Sequence, residues 1–146
     1  MEKSVILKNI FMNEFGLQEQ DIRTYSPLTL AYIGDAIFEL VIRTVLVERK
    51  NTQPEKLHKA ATKIVKAETQ ALMIEALKED LTEEELAVYK RGRNAKAVTR
   101  AKNATMSEYR RATGFEALMG YLYLKGDMER MIELIHTGVE KAEVTL

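Results

Sequence analysis

The sequence predicts an all-α fold, a helical bundle within a single domain. Only two prolines and seven glycines interrupt the 146 residues, and Ala, Leu, Glu and Lys are abundant. Apolar residues recur at helical spacing along most of the chain. Capping signals such as Ser-Pro and Thr-Glu-Glu-Glu precede several of these apolar runs. The length suits one domain with a sizeable core, so we expect residues 1–146 to fold as one unit.

The first two predicted helices differ in character. A short amphipathic helix is expected over residues 4–15, with Gly16 as its stop. The next helix, from Pro27 to about Lys50, is the most apolar segment of the chain. Ser26 before Pro27 is the pattern of an N-cap followed by the first helical residue. Because this second helix has almost no polar face, we expect it at the centre of the bundle.

The middle of the chain predicts two helices followed by a loop. One amphipathic helix is expected over residues 54–78, where an apolar stripe runs at helical spacing. Thr82 and Glu85 form the pattern of a capping box, and they open a helix that we expect to reach about Arg91. From Gly92 to Met106 the apolar content is low and no period is visible, so we expect an exposed loop or a pair of short helical turns.

Two further helices complete the predicted bundle. Ser107 is a candidate N-cap for a helix running to Lys125, and Gly126 is its expected stop. Asp127 is the expected cap of a last amphipathic helix.

The composition excludes several classes of site. The chain has no cysteine, so a disulfide framework, a thiolate zinc site and a cysteine nucleophile are all excluded. His58 and His136 stand alone, and we expect both at the surface or at an interface. The apolar run of residues 28–46 carries three charges near its middle, which argues against a membrane span. We therefore expect a soluble cytoplasmic protein that contacts no membrane.

The charge is balanced overall but concentrated in one segment. The net charge is zero, yet residues 90–111 contain eight basic residues and a single acid, Glu108. A dense basic segment in a neutral chain indicates a local contact with a polyanion. An ordinary solvated loop is the alternative.

Two carboxylates lie in apolar helices beside small residues. Gly34 precedes Asp35, and Glu116 stands four residues before Gly120. Glycine within a helix is tolerated where another backbone comes close, so the two glycines predict a helix crossing that brings Asp35 and Glu116 together. Converging carboxylates repel unless a hard cation such as Mg²⁺ joins them, and such a site suits phosphodiester hydrolysis.

A structural role for the same carboxylates is the alternative. Each could form an ion pair with an arginine of a neighbouring helix, and Arg43 and Arg111 are available. Glu39, one turn from Asp35 on the same face, could be a further ligand or could support the site.

Two segments carry a family resemblance. Residues 32–39, Tyr-Ile-Gly-Asp-Ala-Ile-Phe-Glu, resemble the signature helix of the ribonuclease III family, whose Leu-Gly-Asp-Ala core supplies a catalytic aspartate. Residues 113–124 resemble the second motif of that family, whose glutamate is a metal ligand. The basic residues 89–96 and residues 108–112 are similar to the short bacterial branch of the family, which lacks a double-stranded-RNA-binding domain. The resemblance covers the chain from about Ser26 onward.

The resemblance implies a ribonuclease III-like endonuclease domain that forms a symmetric homodimer. It makes Asp35 and Glu116 the catalytic and metal-binding residues, with Mg²⁺ as cofactor and Mn²⁺ as a substitute. Glu39, Thr113 and Arg111 are candidate supporting residues. Full-length members have further acids where this chain has Leu28, Ala31 and Thr113, so the number of bound metal ions stays open.

The expected activity is cleavage of double-stranded RNA to products with 5′-phosphates. By family analogy the substrate is the precursor of the large-subunit (23S) ribosomal RNA, and a large-subunit ribosomal protein is a candidate partner. The residues expected to bind RNA are Lys90, Arg91, Arg93, Lys96, Arg100 and Lys102. A non-catalytic helical dimer that binds structured RNA or a ribosomal surface is one alternative, and a helical module for a protein partner is another.

Overall fold

The computed structural model describes residues 7–95 and 105–146, which form seven α-helices and no strand. The predicted all-α fold is confirmed. The helices are α1 (Leu7–Phe15), α2 (Pro27–Arg49), α3 (Pro54–Val65), α4 (Ala67–Leu77), α5 (Glu83–Asn94), α6 (Met106–Lys125) and α7 (Met128–Lys141). Short 3₁₀ turns over Ile22–Thr24 and Lys78–Asp80 precede α2 and follow α4.

Several helix ends lie where the capping residues predict them. The Ser26 hydroxyl accepts a hydrogen bond from the Thr29 backbone N–H at 3.1 Å, and Pro27 is the first residue of α2. Both hydrogen bonds of the Thr82 capping box are present at the start of α5. Gly126 ends α6 with a φ of +90°, a left-handed conformation that glycine adopts without strain.

The start of α6 corrects one prediction. Thr105, and not Ser107, is the N-cap: its hydroxyl accepts from the Glu108 backbone N–H at 3.0 Å, and its own N–H donates to Glu108 Oε1 at 3.1 Å. The reason is spacing, because Glu108 stands three residues after Thr105 and completes a reciprocal capping box. Asp127 caps α7 as expected and accepts from the Arg130 N–H at 3.3 Å.

The predicted single helix over residues 54–78 is wrong, because the chain breaks at Lys66, whose ψ of 156° separates α3 from α4. A break strips backbone carbonyls of their helical partners. Two side chains of α4 replace those partners: the Thr69 hydroxyl donates to the Lys63 carbonyl at 2.6 Å, and Gln70 Nε2 donates to the Val65 carbonyl at 2.8 Å. The break is therefore stabilised by polar side chains and not by proline or glycine.

The expected loop also begins later than predicted. Helix α5 continues through Gly92 to Asn94, and Gly92 is buried against α6. A Cβ atom at Gly92 would lie 2.9 Å from the Gly114 Cα, so glycine lets the two helices pack closely. Residues 96–104 lie outside the described part of the chain, as do residues 4–6 of the predicted first helix.

The core forms around the crossing of α2 and α6, with α4, α5 and α7 packed against α6. Phe38 of α2 and Phe115 of α6 meet edge to face at 5.1 Å in its middle. Helix α6 is enclosed along most of its length, whereas α2 is buried on one face only. On its other face Tyr32 is 81% exposed. No described helix combines the length and the apolar character needed to cross a bilayer.

Candidate active site

The site is built on a close contact between the backbones of α2 and α6. A Cβ atom at Gly34 would overlap the carbonyl oxygen of Glu116 and would lie 2.7 Å from the Gly120 nitrogen. A Cβ atom at Gly120 would lie 2.8 Å from the Leu30 carbonyl carbon. Real Cβ contacts are essentially never this short, so both positions require glycine. The structure thus contains the glycine-dependent crossing that the sequence predicts.

The crossing brings Asp35 and Glu116 together. Burial raises the pKa of Glu116, and the nearby negative charge of Asp35 raises it further, to about 8. The two residues differ in exposure, since Glu116 is half-buried whereas Asp35 is exposed. Asp35 lies towards the open face of α2. A carboxylate pair with one member at the surface can be reached from solvent.

Gln70 is a third polar side chain at this site, and it was not among the residues predicted from the sequence. Its Nε2 donates to Glu116 Oε2 at 3.1 Å as well as to the Val65 carbonyl. Gln70 is only 1% exposed, and its Oε1 has no hydrogen-bond partner among the described residues. The signal that could have found it is a glutamine within the apolar stripe of residues 54–78.

The arginines proposed as structural partners contact other acids. Arg43 pairs with Glu39 on the same helix, and Arg111 lies 3.5 Å from Glu75. Within residues 7–95 and 105–146, neither arginine forms an ion pair with Asp35 or Glu116. The ion-pair alternative is therefore wrong for these two arginines.

The other candidate supporting residues do not contact the carboxylate pair through hydrogen bonds of their own. Thr113 is buried and donates to the Tyr109 carbonyl of its own helix at 3.0 Å. Glu39 is engaged by Arg43. Whether Glu39, Thr113 or Arg111 supports the site stays a prediction.

The donor atoms at the crossing fit a hard divalent cation. They are two carboxylates without a cationic partner in the described chain and one buried amide oxygen that no described donor satisfies. Oxygen ligands of this kind are those that Mg²⁺ prefers. No cluster of three or more His, Cys, Asp or Glu residues suitable for a metal occurs in the described ranges. With so few protein ligands, a cation held here would keep several of its water molecules.

A cationic cleft lies at the N-terminal end of α6, where α4 and α5 pack against it. It has a volume of about 630 Å³ and is lined by Lys78, Arg93, Arg110 and Arg111, with Glu75 as the acid among them. Arg111 and Glu116 are five residues apart on α6, which corresponds to a rise of about 7.5 Å. The nearest cleft residue on α6 therefore stands about one and a half helical turns before Glu116 along the helix axis.

Among the residues predicted to bind RNA that the structure describes, Arg93 alone lines this cleft. Its guanidinium lies 5.6 Å from the centre of the Tyr89 ring, whereas Lys90 and Arg91 are exposed to solvent. Lys96, Arg100 and Lys102 lie outside the described residues. Lys78 and Arg110 line the cleft but were not among the residues predicted to bind RNA. The sequence around Lys78 does not mark it as a binding residue, because the fold alone brings it to the cleft.

Comparisons with known proteins agree on one family. The Ribonuclease III domain model matches residues 28–127. The chain is 50% identical over 128 residues to the Mini-ribonuclease 3 of Enterococcus faecalis, covering 86% of this chain and 97% of the relative. It is 43% identical over 143 residues to the Mini-ribonuclease 3 of a Thermoanaerobacter species, covering 98% and 99%. A crystal structure of a Fusobacterium nucleatum protein superposes with a TM-score of 0.76 at 36% identity, over 86% of this chain and 100% of that one. The matched segment contains the helix crossing and most of the cleft.

Proposed function

We propose, from the premise that this chain belongs to the ribonuclease III family and is an endoribonuclease, that it cleaves double-stranded RNA with the help of a divalent cation. The observation that carries the proposal is the carboxylate pair at the α2–α6 crossing. Asp35 and Glu116 lie close together without a cation from the described chain, and the pKa of Glu116 is raised. Two neighbouring carboxylates without a cationic partner in the described chain favour the binding of a cation from solution.

The proposed roles of the residues follow from the donor set. Asp35 and Glu116 would hold Mg²⁺, or Mn²⁺ in its place, through their carboxylate oxygens. A bound divalent cation makes water a stronger nucleophile and stabilises negative charge on phosphate oxygens. The side chains of the cleft would bind phosphates of the RNA backbone and hold one strand beside the carboxylates. Hydrolysis would leave the 5′-phosphate on one product.

The exposed face of α2 favours a homodimer. Leu28, Tyr32, Leu40 and Val47 are large apolar side chains that remain exposed on this helix. A face of this kind, self-complementary about a two-fold axis, is a suitable dimer interface. Asp35 opens towards the same side, so a dimer would present two related sites. A-form duplexes are recognised through shape, phosphates and 2′-hydroxyls, and two sites would allow one cut in each strand.

The family resemblance suggests a specific substrate and location. We propose that the chain acts in the bacterial cytoplasm on the precursor of the 23S ribosomal RNA, and that a large-subunit ribosomal protein is its partner. Lys90, Arg91, Lys96, Arg100 and Lys102 stay predicted RNA contacts. Cleavage of a precursor stem, compared with a duplex of the same length and unrelated sequence, tests the substrate.

The activity is tested by replacing Asp35 with Asn and measuring cleavage and binding separately. We expect Asp35→Asn to bind duplex RNA about as well as the parent chain, because most affinity comes from phosphate contacts. We expect its Mg²⁺-dependent cleavage to fall by more than about 100-fold, which is the upper value for residues that only support a metal ligand. Glu129→Gln removes the same charge from an exposed site on α7 and is the matched control.

Two outcomes would overturn the proposal. If the parent chain binds duplex RNA but does not cleave it with Mg²⁺, a non-catalytic RNA-binding helical dimer is favoured. If Asp35→Asn and Glu129→Gln cleave equally well, the reaction takes place somewhere other than the α2–α6 crossing.

A further inference from the structure

The amide of Gln70 is fixed in one orientation by its surroundings. One acceptor of its Nε2 is the Val65 carbonyl, exposed by the break between α3 and α4, and the other is Glu116 Oε2. Turning the amide over would place its oxygen against the Val65 carbonyl, and two acceptors cannot form a hydrogen bond. The break at Lys66 therefore determines which end of the amide reaches the glutamate.

The two atoms of the amide are used unequally. Its nitrogen has two acceptors at 2.8 Å and 3.1 Å, whereas its oxygen is buried and has no donor among the described residues. Leaving a buried carbonyl oxygen unpaired is unfavourable, and such an atom is uncommon in a native fold. The unpaired oxygen belongs to the same amide whose nitrogen contacts Glu116.

We infer that Gln70 is a positioning residue for Glu116, whose carboxylate its amide nitrogen holds in place for the cation. The inference rests on the proposed function. With two carboxylates at the crossing, the site depends strongly on where each of them points. A glutamine suits this position because it can donate to Glu116, whereas a third carboxylate would repel both Glu116 and the Val65 carbonyl.

A structural role is the competing explanation, because Gln70 also satisfies the C-terminal end of α3. Thr69 offers a matched control for that role. Its hydroxyl donates to the Lys63 carbonyl at the same break, and it is buried as Gln70 is, but it has no hydrogen bond to Glu116. A variant at position 69 therefore perturbs the break while it leaves the glutamate contact intact.

The experiment compares Gln70→Met and Thr69→Val, with Mn²⁺ as the probe and no RNA present. Methionine preserves the approximate volume but removes both donor and acceptor. We expect Gln70→Met to weaken Mn²⁺ binding, followed by electron paramagnetic resonance, by about 10-fold. The Mg²⁺ midpoint for cleavage should rise by a similar factor, with kcat lowered at subsaturating Mg²⁺ and KM for duplex RNA unchanged. Thr69→Val should bind Mn²⁺ as the parent chain does.

Several results would overturn the inference. Gln70→Met could bind Mn²⁺ as tightly as the parent, or Thr69→Val could weaken binding equally. If Gln70→Met fails to fold, Gln70→Asn is measured instead, because it keeps the amide but is one methylene too short to reach both acceptors. Parent-like Mn²⁺ binding by Gln70→Asn would also contradict the inference. Cleavage of duplex RNA by the parent chain tests the proposed function separately, so a failure of either can be recognised.

Discussion

Glu85 and Glu116 are both glutamates with reduced exposure to water, but their surroundings shift their pKa values in opposite directions. Glu85 accepts hydrogen bonds from Arg130 Nε at 2.8 Å and Nη2 at 2.9 Å, and from the Thr82 backbone N–H at 2.9 Å. The Arg130 guanidinium holds the pKa of Glu85 below its ordinary value. Burial and the charge of Asp35 raise the pKa of Glu116 instead.

This difference separates a charge that serves the fold from one that serves a ligand. Hydrogen bonds from Arg130 and from the Thr82 backbone N–H compensate the negative charge of the Glu85 carboxylate. The Glu116 carboxylate receives one neutral donor and faces a second acid, so the described chain leaves most of its charge uncompensated until a cation arrives from solution. Unfavourable electrostatics left uncompensated in a folded chain are typical of functional sites.

The largest expected effect tests the structural half of this comparison. We expect Glu85→Ala to lower the free energy of unfolding by about 2–4 kcal/mol, because it removes two charge-assisted hydrogen bonds from Arg130 and the capping bond from the Thr82 N–H. Urea denaturation at neutral pH measures the loss. Glu85→Ala should cost less in an Arg130→Met background than in the parent chain, because the ion pair is already absent there. Equal costs in the two backgrounds would show that the ion pair is not the cause.

A second variant is designed to push apart α2 and α6, the two helices that present the carboxylates. We expect Gly34→Ala to destabilise the fold by about 1–3 kcal/mol or more, because its Cβ would overlap the backbone of α6. Cleavage should fall beyond what the loss of folded protein explains. Gly138→Ala is the control: its Cβ would lie 3.1 Å from Leu77 Cδ1 and 3.2 Å from Met73 Cε, both ends of flexible side chains. Equal destabilisation by the two variants would argue against a special crossing.

The sequence predicts those features that depend on nearby residues. The caps at Ser26, Thr82 and Asp127 follow from hydrogen bonds within one helical turn, and each is present. The crossing of α2 and α6 is a tertiary contact, yet it could be predicted because Gly34 and Gly120 have no other evident reason to lie within apolar helices.

The features that the sequence did not reveal depend on contacts between distant residues. The break at Lys66 has no proline or glycine, and it is stabilised by side chains that would also suit a continuous helix. Gln70 contacts a residue 46 positions away. The cationic cleft combines Lys78 with Arg93 and Arg110 from other segments. No local pattern distinguishes Gln70 or Lys78 from ordinary polar residues of a helical bundle, whereas Arg93 and Arg110 belong to the basic segment that the sequence reveals.

The raised pKa of Glu116 predicts that the stability of the fold depends on pH. Because the pKa of this carboxyl is raised in the fold to about 8, the folded state holds a proton that the unfolded state has lost. In the absence of metal, stability should therefore fall as pH rises from about 5 to about 8. We expect a fall of about 1–2 kcal/mol. At about 1.4 kcal/mol per pKa unit the full pKa shift would correspond to a larger fall in stability. Water reaches part of the carboxylate, however, and this weakens the effect.

Glu116→Gln isolates that contribution. Thermal unfolding between pH 5 and pH 8 should show a flatter profile for Glu116→Gln than for the parent chain, and a higher stability at pH 8. Mn²⁺ should flatten the profile of the parent, because a bound cation stabilises the charged form. Identical profiles for the two chains would mean that Glu116 does not take up a proton in this range.

The smallest expected effect concerns the cationic cleft, where basic side chains with and without an acidic partner can be compared. Lys78 and Arg111 are partly neutralised by Glu75, at 2.9 Å and 3.5 Å, whereas Arg110 has no ion pair within the described residues. An exposed cation without an internal partner is suited to a phosphate of the substrate. We expect Arg110→Ala to weaken duplex RNA binding a few-fold and to lower the magnitude of the salt dependence by about one ion. Lys59→Ala, at an exposed position on α3, is the control. If both variants reduce the salt dependence equally, binding follows the overall charge of the chain, and the cleft has no special part in it.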